Sequence, residues 1–84
     1  MDYRKLVADN LKHWRAVRGL TQRELAQRAG VGYASVARIE TGRQDPTVGL
    51  LGRLGEALDV DVVDLLMGPQ EESRPVRKWA GRKP

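Results

Sequence analysis

The sequence predicts an all-α fold, with five short helices packed around one core and a flexible basic tail after them. Three observations carry this. Apolar residues as far as Leu66 recur three and four positions apart, glycines fall between these periodic runs, and no segment alternates with the period of two that a half-buried strand needs. The 84 residues suit a single core, because two cores rarely fit below about 100 residues. Hydrophobic residues at 40% and charged residues at 31% supply enough apolar material for the body to fold.

Val7, Leu11, Trp14 and Val17 lie three or four apart and place a first helix over about residues 3–18, stopped by Gly19. Thr21 and Glu24 form a capping box for the second. The Thr hydroxyl takes a free amide of the first turn while the Glu side chain reaches back to the cap, and Leu20 and Leu25 have the spacing of a hydrophobic staple. This helix runs to about Ala29, with Gly30 as its C-cap. A third, from about Gly32 to Glu40, carries Val36 and Ile39 on its buried face and ends at Gly42. Asp45 or Thr47 caps a fourth, with Pro46 in its first turn and Leu51, Leu54 and Leu58 as its buried stripe. Asp61 with Asp64, and Val60 with Leu65, repeat the cap-and-staple spacing for a short fifth helix.

Gly49, Gly52 and Gly55 stand inside the fourth helix, where each costs roughly 0.5–1 kcal/mol against Ala. Only Gly55 faces the leucine stripe. There it either lets a neighbouring backbone approach or is simply tolerated. Gly68 and Pro69 end the domain, so residues 1–67 form the folded unit and residues 68–84 a tail whose only apolar residues are Val76, Trp79 and Ala80. Trp79 amid Arg77, Lys78, Arg82 and Lys83 makes neither a platform of repeated aromatics nor a membrane helix. The tail has three readings: a basic arm on a polyanion, a segment folding back on the acidic stretch from Asp45 to Asp64, or a solvated end.

Composition removes several classes of function. With no cysteine and with His13 as the single histidine, disulfides, thiolate or zinc sites and a cysteine nucleophile are excluded, and no metal or cofactor is expected. His13 has no Ser or Asp partner at a recognisable spacing, so it reads as a helix-surface residue beside a packing Trp14, and no enzyme chemistry is expected. No apolar run approaches the roughly 18–20 residues of a membrane span, and the N-terminus lacks the apolar segment of a secretion signal. A cytoplasmic protein without membrane contact is the default. Fifteen Lys and Arg against eleven Asp and Glu give a net +4, which points to a polyanionic partner. The excess is unevenly placed: net +5 over residues 1–43, −4 over residues 44–67 and +3 over residues 68–84.

Residues 21–40, two short helices joined through Gly30, have the length and turn chemistry of a helix-turn-helix. The wording sharpens this: Gly19-Leu20-Thr21-Gln22, Glu24-Leu25-Ala26, Ala29-Gly30-Val31, Arg38-Ile39-Glu40-Thr41-Gly42, Pro46, and Leu51, Leu54, Leu58 and Leu65. Over residues 7–66 the chain resembles the Cro/CI-type, or xenobiotic response element (XRE), helix-turn-helix family. The resemblance implies a compact, lambda-repressor-like five-helix DNA-binding domain. In that family the third helix enters the major groove, the second braces across it, and most members are dimeric repressors.

Helix geometry at about 100° per residue sets Val36 and Ile39 inward and turns Ala34, Arg38 and Thr41 outward, flanked by Tyr33, Ser35 and Ala37. Tyr33, Ala34, Ser35, Ala37 and Arg38 are therefore the base-contacting candidates. An Arg fork matches guanine O6 and N7, and Ala methyls suit thymine methyls, so Arg38 is the first choice for base readout. Tyr33 either stacks on the nucleic acid or covers the joint between helices. The resemblance also implies that Gln22, in the first turn of the second helix, touches the DNA backbone, with Arg23 and Arg43 flanking it as phosphate contacts. It implies a structural salt bridge between Arg15 and Glu40. Many family members carry Ser or Thr where Gly32 stands and polar residues where Tyr33 and Ala34 stand; Ala34 cannot donate a hydrogen bond, which shifts recognition towards Arg38, Tyr33 and DNA shape.

Leu50, Val62, Val63 and Leu66 exceed what a five-helix core buries, and they fall in the half where family dimers form. The expected function is a sequence-specific regulator of transcription, bacterial or phage in type and associated with the nucleoid. It would bind a palindromic double-stranded DNA operator as a homodimer and act as repressor or autoregulator, like a phage regulator or a restriction-modification controller. The alternative is an antitoxin or an adaptor that uses the same fold to bind a protein partner.

Overall fold

The computed structural model describes residues 2–67. The expected tail, Trp79 included, lies outside the described residues. Five helices follow in order: α1 Tyr3–Arg18, α2 Gln22–Ala29, α3 Tyr33–Glu40, α4 Val48–Leu58 and α5 Val62–Met67. Among the described residues there is no strand, and no helix is long and apolar enough to cross a membrane.

Local chemistry fixes most of these ends. The Asp2 side chain accepts from the Lys5 amide at the start of α1. At α2 the capping box is complete: the Glu24 amide donates to Thr21 Oγ1 at 3.0 Å and the Thr21 amide to Glu24 Oε1 at 2.8 Å. Gly19 and Gly30 end α1 and α2 in the left-handed region at φ 69° and 70°, conformations that favour glycine. The third helix has no side-chain cap at Gly32; it ends at Thr41, and Gly42 at φ 74° reverses the chain. Of the two caps the sequence allows for α4, Thr47 is the one used, its Oγ1 accepting from the Leu50 amide at 3.0 Å. Pro46 consequently precedes the cap and is not in the first turn. At the fifth helix Asp64 reaches back to the Asp61 amide at 3.0 Å, the reciprocal half of the expected cap.

One core unites the five helices, with Leu11, Leu25, Val36, Leu54, Leu58 and Leu65 fully buried and Val7, Ile39 and Leu51 nearly so. Truncating one of these leucines to Ala costs about 2–5 kcal/mol. Trp14, Leu20 and Val31 pack against the cluster while half-buried. Val17 departs from its expected place on the buried stripe of α1 and is 53% exposed. Its neighbour Arg18, also exposed, reaches across to the end of α4, with its guanidinium 5.4 Å from the Trp14 ring centroid and Nε donating to the Leu58 carbonyl at 2.6 Å.

Gly55 is required by close approach. A Cβ there would stand 2.8 Å from the carbonyl oxygen of Val60, where the chain folds over the end of α4 and the Val60 amide donates to the Gly55 carbonyl at 2.9 Å. Gly52 has open space where a Cβ would go, and Gly49 meets only Thr47 Oγ1 at 3.9 Å, so these two are tolerated glycines. Polar bonds also cross the core. Buried Asn10 donates to the Leu65 carbonyl at 2.8 Å and ties the first helix to the fifth.

Candidate nucleic-acid interface

Because Val36, Ile39 and Glu40 are buried, the opposite side of α3 faces solvent, and there Tyr33, Ala34 and Arg38 are exposed. Ser35 and Ala37 flank them, half-buried. Thr41 is also exposed, but its hydroxyl turns back on the helix, 3.0 Å from the Arg38 carbonyl and 3.3 Å from that of Ala37. The five base-contacting candidates thus share one side of a single helix, with Tyr33, Ala34 and Arg38 outermost.

A buried polar cluster holds the far end of that helix. Glu40 accepts from Arg15 twice, Nε to Oε2 at 2.7 Å and Nη2 to Oε1 at 3.0 Å, while Arg15 Nη1 donates to the Leu20 carbonyl at 2.9 Å. This is the Arg15–Glu40 pair that the resemblance implies. The Glu40 side chain is 3% exposed, so its charge is kept from water and answered by a two-pronged partner. Hydrogen bonding to Glu40, aided by the opposite charge and opposed by burial, raises the Arg15 guanidinium above its ordinary value. Gln22 joins the cluster, with Nε2 donating to Glu40 Oε1 at 2.9 Å. Only one of the two amide protons is used in that bond, and Gln22 remains in the first turn of α2, half-buried.

The cationic side chains on this surface are differently occupied. Arg23 lies over the Tyr33 ring with its guanidinium carbon 4.2 Å from the centroid, a stack that spans the joint between α2 and α3 and accords with the joint-covering reading of Tyr33. Arg38 Nε donates to Gln44 Oε1 at 3.0 Å. Arg43, just past the reversal at Gly42, is exposed. Among the described residues none of these three arginines is in an ion pair, and the nearby acidic groups are engaged, Glu24 in its cap and Glu40 in the buried cluster. The surface around α3 therefore carries three arginines, none of them held in an ion pair among the described residues.

Of the side chains expected at a dimer interface, only Val63 is well exposed, at 47%. Leu50, Val62 and Leu66 are half-buried against the core, where they brace α4 and α5 while keeping an outer edge. Two more exposed apolar residues escaped the sequence reading, Val48 at 78% and Met67 at 65%. Both sit at helix ends, where periodicity says little about direction. Gln44 and Arg18 escaped as well, because their partners lie across turns that residue spacing does not resolve. Among the described residues no group of three His, Asp or Glu side chains could hold a metal ion.

This geometry has close counterparts. The helix-turn-helix domain family matches the chain over residues 6–66. An uncharacterized HTH-type transcriptional regulator, y4dJ of Sinorhizobium fredii, is 41% identical over 71 residues, 84% of this chain and 92% of that one. Among solved structures, a hypothetical transcription factor from Neisseria is similar at 30% identity with a TM-score of 0.76, covering 82% of this chain and 79% of its own. The restriction-modification controller C.AhdI from Aeromonas hydrophila is similar at 26% identity with a TM-score of 0.72, covering 74% of this chain and 94% of that one. By its five-helix architecture, its paired Arg15 and Glu40 and these matches, the chain belongs to the Cro/CI-type (XRE) helix-turn-helix family of DNA-binding transcriptional regulators.

Proposed function

We propose that the protein binds a specific palindromic operator as a homodimer, each copy laying α3 in a major groove, and acts as a repressor or autoregulator. The observation that carries this reading is the outward stripe of α3: exposed Tyr33, Ala34 and Arg38 beside a cationic rim, on a helix whose far end is locked by Glu40. Arg38 reads guanine; Ala34 and Ala37 contribute methyl contacts, and Ser35 and Tyr33 line the edges. Gln22, with its second amide proton, and Arg23 and Arg43, with their charge, hold the phosphates and set register. Val63, with the outer edges of Leu50, Val62 and Leu66, pairs the two copies, and exposed Val48 and Met67 extend that surface. The likeness to C.AhdI, a restriction-modification controller protein, supports the controller type of circuit.

Selection of bound fragments from random duplex DNA tests this reading. The expected result is an enriched inverted repeat whose halves lie about 34–36 Å apart, one helical turn. No enriched sequence would overturn the specific reading. An enriched single half-site, together with a monomeric sedimentation profile at high micromolar concentration, would overturn the dimer.

A further inference from the structure

Arg38 arrives at the α3 surface with one nitrogen already engaged. Its Nε donates to Gln44 Oε1 at 3.0 Å, a contact between residues six apart that exists because the chain reverses at once after the helix. Gly42 at φ 74° makes that reversal, and the Arg43 amide donates to the Arg38 carbonyl at 2.9 Å. Gln44 is thereby returned alongside Arg38, half-buried while Arg38 is exposed.

The position of this bond on the guanidinium matters. Nε–H lies in the guanidinium plane on the stem side, so an acceptor there fixes the rotation of that plane and leaves both Nη groups at the tip. Those two groups form the fork that meets guanine O6 and N7. A free Arg samples many rotamers and loses them on binding, whereas one held beforehand loses fewer. We propose that Gln44 is a specificity-determining positioning residue: it orients the Arg38 fork for guanine before DNA arrives, without contacting DNA itself. This rests on the proposed groove-reading role of Arg38.

The test uses the full chain, an oligonucleotide panel that varies each base of the selected site, and the variants Arg38→Ala, Gln44→Met and Gln44→Glu. Gln44→Met keeps the length of the side chain and removes the acceptor. It should reduce the preference for guanine at the position that Arg38→Ala relaxes by about three- to tenfold, the worth of one exposed hydrogen bond. It should leave other positions and the salt slope unchanged and add nothing in an Arg38→Ala background. Gln44→Glu retains an oxygen for Nε–H and should keep the guanine preference while weakening binding at every position alike through its charge. Heat denaturation followed by circular dichroism confirms that each variant is folded at the assay temperature. If Gln44→Met is indistinguishable from the parent, or if both Gln44 variants flatten the preference equally, or if Gln44→Met and Arg38→Ala add, Gln44 does not act through Arg38 and the proposal fails. If Arg38→Ala itself leaves base preference intact, the groove reading fails with it, and that outcome is visible in the Arg38→Ala data alone.

Discussion

In the N-terminal half, from α1 to α3, a buried charge and its hydrogen bonds are added to the shared apolar core. Glu40 sits buried at the end of α3, gripped by Arg15 and Gln22, and the capping box of α2 is closed at both donors. In the C-terminal half, α4 and α5 are held by leucines and by one close backbone approach at Gly55, and exposed apolar side chains remain at Val48, Val63 and Met67. On the proposed function, the difference matches the demands on each surface. A helix that must present side chains to base edges needs a fixed axial position, which directional bonds supply. A surface that pairs with another copy can be made of side chains that adapt. The first helix joins the two halves, since Arg15 reaches α3, Arg18 the end of α4 and Asn10 the last turn of α5.

Removing the charged lock should have the largest effect. Arg15→Ala strands a buried carboxylate and should cost about 3–5 kcal/mol in urea unfolding, whereas an ordinary exposed pair contributes about 1 kcal/mol or less. A loss below 1 kcal/mol would show that the two halves are not held differently. The Arg15 guanidinium has its pKa raised in the folded state, so its contribution is full below the unfolded value and is lost only as pH rises through the folded one. Since an arginine is already charged through the whole working range and the fold raises it further, the lock should be indifferent to alkalinity up to about pH 10.

Next in size is the packing constraint in the other half. Gly55→Ala places a Cβ against the Val60 carbonyl and should destabilise by about 1–3 kcal/mol. Val63→Asp should weaken self-association about tenfold, near 1.4 kcal/mol, in sedimentation equilibrium without lowering the unfolding midpoint of the monomer. An unchanged association constant would remove Val63 from the interface. The smallest effect has the opposite sign. Gly52→Ala, with open space at the new Cβ, should stabilise by roughly 0.5–1 kcal/mol, and a loss there would mean that α4 needs its glycines for more than the turn at Val60.

The helices and their ends were legible in the sequence because caps, staples and glycines act over three to five residues. The capping box at Thr21 and the stops at Gly19 and Gly30 follow from such short-range chemistry, whereas the two readings of Gly55 are separated only by the return of the chain at Val60. What escaped were the consequences of chain reversal. Pro46 lies outside the fourth helix because Thr47 won the cap over Asp45, and Val17 is exposed while Arg18 beside it reaches the Leu58 carbonyl at the end of α4. The outward stripe of α3 was readable from Val36 and Ile39, and the Arg15–Glu40 pair through family resemblance. Gln22 bonded to Glu40, Arg23 stacked on Tyr33 and Arg38 held by Gln44 depend on side chains meeting across turns, which spacing does not encode.

Whether Arg38 specifies while Arg43 only holds is tested directly by the binding of Arg38→Ala and Arg43→Ala to the selected site and its single-base variants across a salt series. Arg38→Ala should lose about 1–3 kcal/mol of discrimination at one base pair, whereas Arg43→Ala should weaken all sequences alike and reduce the logarithmic salt slope by about 0.9. Uniform weakening by both variants, with every base preference intact, would contradict it.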